Sequence, residues 1–226
     1  TNVGPSHLEF FNNLETVAKA KIELFKNFKI RDTAVWNADD PNLKVIYKLL
    51  NCKKKTFGYE TESDLRATNA EYLDDGWRFA INSNRLIKIK LLGRHNIYNA
   101  LAAICVAELL GLEYESIASL LLSFSAPPMR MQVIQAAGVT IINDSYNSNP
   151  KSMDSAIGVL SNFNTKGRKI LVSGDMLELG EQSGYFHRQI GAAVANAKID
   201  IFIAVGPMSK LALDSAVQSG KISDSV

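Results

Sequence analysis

Little in this chain is extreme, and its absences narrow its role more than its composition does. Only two cysteines occur in 226 residues, Cys52 and Cys105. They lie far apart, which argues against a disulfide framework, and Cys105, inside the apolar stretch 102–110, reads as a small core residue. Neither charge sign dominates, with 25 Lys and Arg against 23 Asp and Glu for a formal +2. The longest basic run, Lys53-Lys54-Lys55, reads as a solvated edge, so no nucleic-acid partner is expected. No apolar run approaches the ~18 residues of a membrane span, and Thr1-Asn2-Val3-Gly4-Pro5 lacks the charged and apolar regions of a signal peptide. A cytoplasmic chain with no membrane partner is therefore expected. Missing too are an initiator methionine and a Gly-x-x-Gly-Lys-Ser/Thr phosphate loop, and the chain reads as an excerpt of a longer protein.

What is present suits a globular α/β chain. A hydrophobic content of 46% can fill the core of one large or two ordinary domains. Ser6-His7-Leu8-Glu9 has capping-box spacing, and Leu14, Val17, Ala18, Ile22 and Phe25 recur at helical intervals, predicting one helix over 7–26. A short strand over 33–36 and a turn at Asn37-Ala38-Asp39-Asp40-Pro41 lead to a predicted helix over 43–50. Residues 55–92 alternate between apolar and polar, with turn chemistry at Asp74-Asp75-Gly76 and Asn82-Ser83-Asn84, as antiparallel strands or hairpins do. Helical periods return over 99–110, stopped by Gly111, and over 114–123.

Ser125-Ala126-Pro127-Pro128 breaks the pattern, because adjacent prolines cannot continue a helix. A domain boundary is placed there, giving domains 1–127 and 128–226, with the diproline segment as a hinge. Beyond it, short buried strands over 139–143, 169–173 and 200–205 alternate with helices over 150–163 and 185–197. Alternation of this kind implies parallel strands joined by right-handed crossovers, a Rossmann-like layer.

Several polar constellations stand out on these elements. Asn143-Asp144-Ser145-Tyr146-Asn147-Ser148-Asn149-Pro150 fills the turn between a strand and a helix, where α/β folds place their chemistry. Such a turn is equally a solvated loop whose Ser or Asn caps the next helix. His7 and Lys21 are 14 residues apart, so on one long helix they fall about 40° from each other; a first-turn polar residue and a solvated charge explain them as well. Gly93-Arg94-His95-Asn96-Ile97-Tyr98-Asn99 opens a helix with amides at i and i+3 on one face, and paired amides can read a purine edge. Arg130 follows the diproline, able to reach phosphate or simply exposed. Asp175 and Glu178 in Gly174-Asp175-Met176-Leu177-Glu178-Leu179-Gly180 follow a strand end and could orient an amine, help hold a metal or start a helix.

Taken together, the chain resembles the Mur ligases, ATP-dependent amide-forming enzymes of peptidoglycan precursor assembly. Four separated motifs carry the resemblance in order: 1–9, Ala20-Lys21 with Phe25 after it, 93–100, and the Asp144 turn. The turn Asn143–Met153 and the segment Gly174–Gly180 are similar to the branch that adds D-alanyl-D-alanine to UDP-N-acetylmuramoyl-tripeptide. That branch usually has two acidic residues where this chain has Asn143-Asp144, and alanine where it has Ser148.

The resemblance implies the later part of a central ATP-binding domain followed by a Rossmann-like ligase domain. It implies ATP and Mg2+ as cofactors, with His7 and a carbamylated Lys21 as magnesium ligands. Asn96 and Asn99 would meet adenine, Arg130 the transferred phosphate and Asp144 the ribose side. Tyr146, Asn147 and Asn149 would line the dipeptide cleft. A monomer is expected, and this stretch alone is expected not to turn over. The competing expectations are another Mur-type or folylpolyglutamate-type ligase, and a nonenzymatic nucleotide-binding module.

Overall fold

The computed structural model describes residues 1–5, 8–11, 13–43, 50–219 and 224–225. By contacts the chain divides into two compact units: Thr1–Gly4 with Leu14–Ala126, and Pro5–Asn13 with Pro127–Val226.

The helical periodicity over 7–26 does not yield one helix. The described residues form α1 (Leu8–Phe11) and α2 (Leu14–Ile22), followed by a 3-10 turn, Glu23–Phe25. Asn13 is a poor helix former, and its amide turns back to the Phe11 carbonyl at 2.7 Å. The two short helices also belong to different units, so the angular argument placing residue 7 and Lys21 on one helix face does not hold. Of the predicted helix over 43–50, residue 43 ends a described helical stretch over 41–43, 44–49 lie outside the described residues, and Leu50 is not helical.

The first unit is built on a five-stranded mixed sheet ordered β1 (Thr33–Asn37), β2 (Lys53–Gly58), β3 (Leu65–Leu73), β4 (Gly76–Ile81), β5 (Arg85–Ile89). The antiparallel reading of 55–92 describes β3 to β5, whereas β2 runs parallel to both β1 and β3. Lys53-Lys54-Lys55, expected as a solvated edge, pairs with β1 on one side and carries an exposed Lys53, while Lys55 meets Glu108 at 3.2 Å. β2 and β3 share only Phe57↔Leu65 and Gly58↔Arg66. That brief overlap lets a short loop replace the long crossover that parallel neighbours usually need.

Two helices, α3 (His95–Leu109) and α4 (Tyr114–Ser123), belong to this core. Ile97, Leu101, Ile104 and Cys105 of α3 join Phe57, Phe79, Ile87 and Ile89 of the sheet in one buried cluster. Burial raises the Cys105 thiol to about 12, as befits a packing residue.

In the second unit, β6 (Gln132–Ala136) and β7 (Val139–Asn143) form an antiparallel hairpin with Ala137 and Gly138 at positive φ, as a two-residue turn requires. The expectation of 139–143 as a buried strand in the parallel layer is corrected here, since Val139 and Ile141 are exposed. The apolar run is half of a hairpin whose partner strand was not read. The parallel layer consists of β8 (Ile170–Gly174), β9 (Ile201–Val205) and β10 (Asp224–Ser225), ordered β10-β9-β8. Its helices are α5 (Pro150–Asn162), α6 (Ser183–Asn196) and α7 (Pro207–Gln218), the last unpredicted from sequence. Met153, Ile157, Ile190, Val194, Phe202 and Ala212 form its core. Among the described residues, no helix is long and apolar enough to cross a membrane.

Candidate functional site

In the first unit the amide pair opens α3 as predicted, and its hydrogen bonds run in one direction. Asn96 Nδ2 donates to the Leu92 carbonyl at 2.6 Å, and Asn99 Nδ2 donates to Asn96 Oδ1 at 3.0 Å. The chain of bonds fixes both amide orientations and commits Asn96. Asn99, exposed, retains its carbonyl oxygen and a second N–H for a ligand, and adenine offers the complementary donor and acceptor on one edge. Gly93, at φ +83°, must be glycine: a Cβ there would sit 2.5 Å from the His95 ring.

Lys21 lies in the last turn of α2 with its side chain exposed. His7 lies outside the described residues. Among the described residues no three His, Cys, Asp or Glu side chains are grouped to hold a metal.

The turn after β1 carries residues that the sequence reading passed over as a connection. Buried Asp40 accepts from the Val3 amide at 2.7 Å and from the Asn42 amide at 2.9 Å. Asn37 donates to the Thr1 carbonyl at 2.8 Å, and Asn42 to the Val3 carbonyl at 3.2 Å. Asp39 accepts from the amides of Tyr59 (2.6 Å), Glu60 (3.0 Å) and Thr61 (2.8 Å) and from the Tyr98 hydroxyl (3.0 Å). Burial alone would raise its carboxyl, but these donors hold it at about 2. The Tyr98 phenol is pushed up by burial and by the Asp39 charge. Acidic residues in a turn suggested only turn chemistry, and nothing local signalled donors some twenty and fifty-nine positions away.

In the second unit the structure brings Arg130, Asp144 and Tyr146 together. The Arg130 guanidinium lies over the Tyr146 ring, 4.1 Å from its centroid. The Tyr146 amide donates to the Met129 carbonyl at 3.1 Å, and Asp144 Oδ1 accepts from the Met131 amide at 2.9 Å. Met129 and Met131 both take positive φ, so the 129–131 turn is strained backbone held by the 144–146 turn. Tyr146 is 59% exposed, and Asn147 is exposed as well. Asn149, expected in the same cleft, caps α5: its oxygen accepts from the Ser152 amide at 3.0 Å, and Ser152 Oγ accepts from the Asn149 amide at 2.9 Å.

The segment after β8 is anchored by a residue that periodicity could not single out. His187, only 2% exposed, accepts from the Met176 amide through Nε2 at 3.0 Å, and its Nδ1 lies 2.8 Å from the Ser183 carbonyl. Those partners require a neutral ring with its proton on Nδ1. Asp175, which from sequence could orient an amine, help hold a metal or start a helix, accepts from the Ser209 amide at 2.6 Å in the first turn of α7. Its carboxylate lies so close to Gly206 that a Cβ there would sit 2.6 Å away. The Glu178 carbonyl accepts from the Glu9 amide at 3.1 Å, tying α1 to this segment.

Residues 1–107 match the Mur ligase middle domain, and residues 129–225 match the Mur ligase, glutamate ligase domain. The UDP-N-acetylmuramoyl-tripeptide–D-alanyl-D-alanine ligase of Bacillus subtilis (strain 168) is 33% identical over 220 residues, covering 96% of this chain and 48% of that protein. The enzyme of the same name from Escherichia coli (strain K12) is 35% identical over 214 residues, covering 92% and 47%. Among solved structures, MurF from Acinetobacter baumannii superimposes with a TM-score of 0.89 at 29% identity, over 99% of this chain and 49% of that one. The MurF ligase of Thermotoga maritima in complex with ADP gives 0.81 at 28% identity, over 100% and 51%. Folylpolyglutamate synthase of Mycobacterium tuberculosis shares the fold alone, at 15% identity and a TM-score of 0.69 over 94% and 50%. The chain spans about half the length of the curated relatives it matches.

Proposed function

This chain belongs to the Mur ligase family, and we propose that it is the ATP-site and acceptor portion of an enzyme that joins D-alanyl-D-alanine to UDP-N-acetylmuramoyl-tripeptide. The observation that carries the reading is the 33% identity, over 96% of the chain, to a ligase bearing that activity in its name. The 15% identity to a folylpolyglutamate synthase leaves that branch with the fold only.

In the proposed reaction, ATP phosphorylates the terminal carboxylate of the tripeptide, forming an acyl phosphate and ADP. The amine of the dipeptide then attacks the acyl carbon, and inorganic phosphate leaves as the amide bond forms. The residues of this chain bind and orient. Asn99, aligned by Asn96, meets the adenine edge; Asp144 serves the ribose side; Arg130 offsets charge on the transferred phosphate. Tyr146 and Asn147 face the acceptor, whereas Asn149 keeps its oxygen for α5 and acts there through the turn it closes. Magnesium belongs to the proposal through His7 and Lys21. Lys21 is exposed to carbon dioxide, and its carbamate would provide the oxygen donor that magnesium prefers. A nucleotide-linked substrate and ATP place the reaction in the cytoplasm, with a monomer sufficient for it.

The test is ATP-dependent phosphate release by the intact protein with UDP-N-acetylmuramoyl-tripeptide, comparing D-alanyl-D-alanine with single amino acids as acceptor. Release with the dipeptide, accompanied by the pentapeptide product, is expected. Release with a single amino acid reassigns the branch, and no release with any acceptor leaves a nucleotide-binding module.

A further inference from the structure

We propose that Asp39 is a positioning residue for the nucleotide site, holding the first turn of α3 in the orientation that presents the Asn96–Asn99 amides. The inference rests on the nucleotide reading of those amides, and it concerns a residue that the motifs leave in a connecting turn.

Asp39 reaches α3 by two routes. The direct route is the Tyr98 hydroxyl, which donates to Asp39 Oδ2 at 3.0 Å, one residue before Asn99. The second runs through the loop between β2 and β3, whose amides at Tyr59, Glu60 and Thr61 all donate to the Asp39 carboxylate. That loop in turn grips Arg94, the residue that precedes α3. The Arg94 guanidinium lies over the Tyr59 ring, 4.3 Å from its centroid, and donates to Glu60 Oε1 at 2.6 Å. Residues 94 and 98 bracket Asn96 two positions to either side, and Tyr98 directly precedes Asn99, so one carboxylate holds both flanks of Asn96 and the near side of Asn99.

The chemistry suits positioning, not ligand binding. Four donors already converge on the two oxygens of Asp39, which leaves little acceptor capacity for a nucleotide. The carboxylate stays ionised and the phenol stays a donor, so the contact keeps one polarity across ordinary pH. Without a charged acceptor, three adjacent amides of a tight loop would lack their common partner. Asparagine there would turn an NH2 group toward N–H donors.

The experiment uses the intact protein with ADP as the binding probe and ATP and D-alanyl-D-alanine as kinetic substrates. For Asp39→Asn, ADP dissociation constant and KM for ATP are expected to rise about tenfold, the consequence of exchanging charge-assisted hydrogen bonds for weaker ones. KM for the dipeptide should stay within about twofold, below the scale of a lost hydrogen bond. Tyr98→Phe, which deletes one hydroxyl and keeps the ring, should weaken ADP about threefold, with Asp39→Glu restoring part of what Asp39→Asn loses. Unchanged ADP affinity in Asp39→Asn, or equal increases in both KM values, would overturn the positioning role while leaving the ligase reading intact. Failure of the unsubstituted protein to bind ADP would instead overturn both.

Discussion

The two units organise polar turns in opposite ways. In the first, a single turn gathers distant segments: Asn37, Asp39, Asp40 and Asn42 together hold residues 1–3, the 59–61 loop and, through Tyr98, the start of α3. In the second, each loop has its own anchor. Asp144 serves the 129–131 turn, His187 the segment after β8, Asp175 the start of α7, and Asn149 the start of α5. A hub transmits damage to everything it holds, whereas separate anchors confine it. The units also differ in what remains available. Asp39 is saturated by the protein, while Arg130 and Tyr146, stacked on each other, are both exposed. Saturated groups position, and groups with spare capacity bind.

The largest expected effect tests the packing beneath the separate anchors. In α6, a Cβ on Gly191 would collide with the Ala212 carbonyl of α7, so the two helices cross at backbone contact. Gly191→Ala should cost about 2–3 kcal/mol, as overpacking in a filled core does. Gly158 in α5 has nothing within 4 Å of such a Cβ. Gly158→Ala should therefore stabilise by about 0.5–1 kcal/mol through helix propensity alone. Urea unfolding of the two variants reads the difference, and equal stabilities would show that the crossing tolerates separation.

A smaller effect tests confinement. His187→Ala leaves the Met176 amide buried without its acceptor, a loss of about 1–3 kcal/mol. Because this anchor serves one segment, amide exchange should accelerate at 176–178 and remain slow along β6, β7 and α5. Exchange that accelerated throughout the second unit would make His187 a hub like Asp39, and the contrast between the units would fall.

The sequence disclosed elements wherever one segment sufficed to define them. Helix α4 runs over Tyr114–Ser123 as its apolar spacing predicts, and the turns at 74–76 and 82–84 join the antiparallel strands where turn chemistry placed them. It misled where one pattern served two partners. The apolar residues of 8–25 keep helical spacing, yet the chain changes unit near Asn13, and β7 looks like a buried parallel strand because β6 carries no alternation strong enough to betray a hairpin. The same division governs the candidate site. The Asn96–Asn99 pair was visible because i and i+3 share a helix face. The roles of Asp39 and His187 depend on backbone amides that only the fold brings to them.

The smallest expected effect concerns how the hub is held. The Asp39 carboxyl sits at about 2 in the folded chain against an ordinary 3.8, so the folded state favours its ionised form. Its contribution is therefore complete above 3.8 and lost as pH falls through about 2. Asp39 is only half-buried, and solvent screening reduces the electrostatic part to under about 1 kcal/mol. The stability difference between the unsubstituted chain and Asp39→Asn should hence be constant from neutral pH to about 4 and narrow on further acidification. Urea unfolding at stepped pH measures it. A difference that widened below 4 would mean that the fold prefers the protonated acid, reversing the sign of the charge at the hub and removing the reason that three loop amides converge on it.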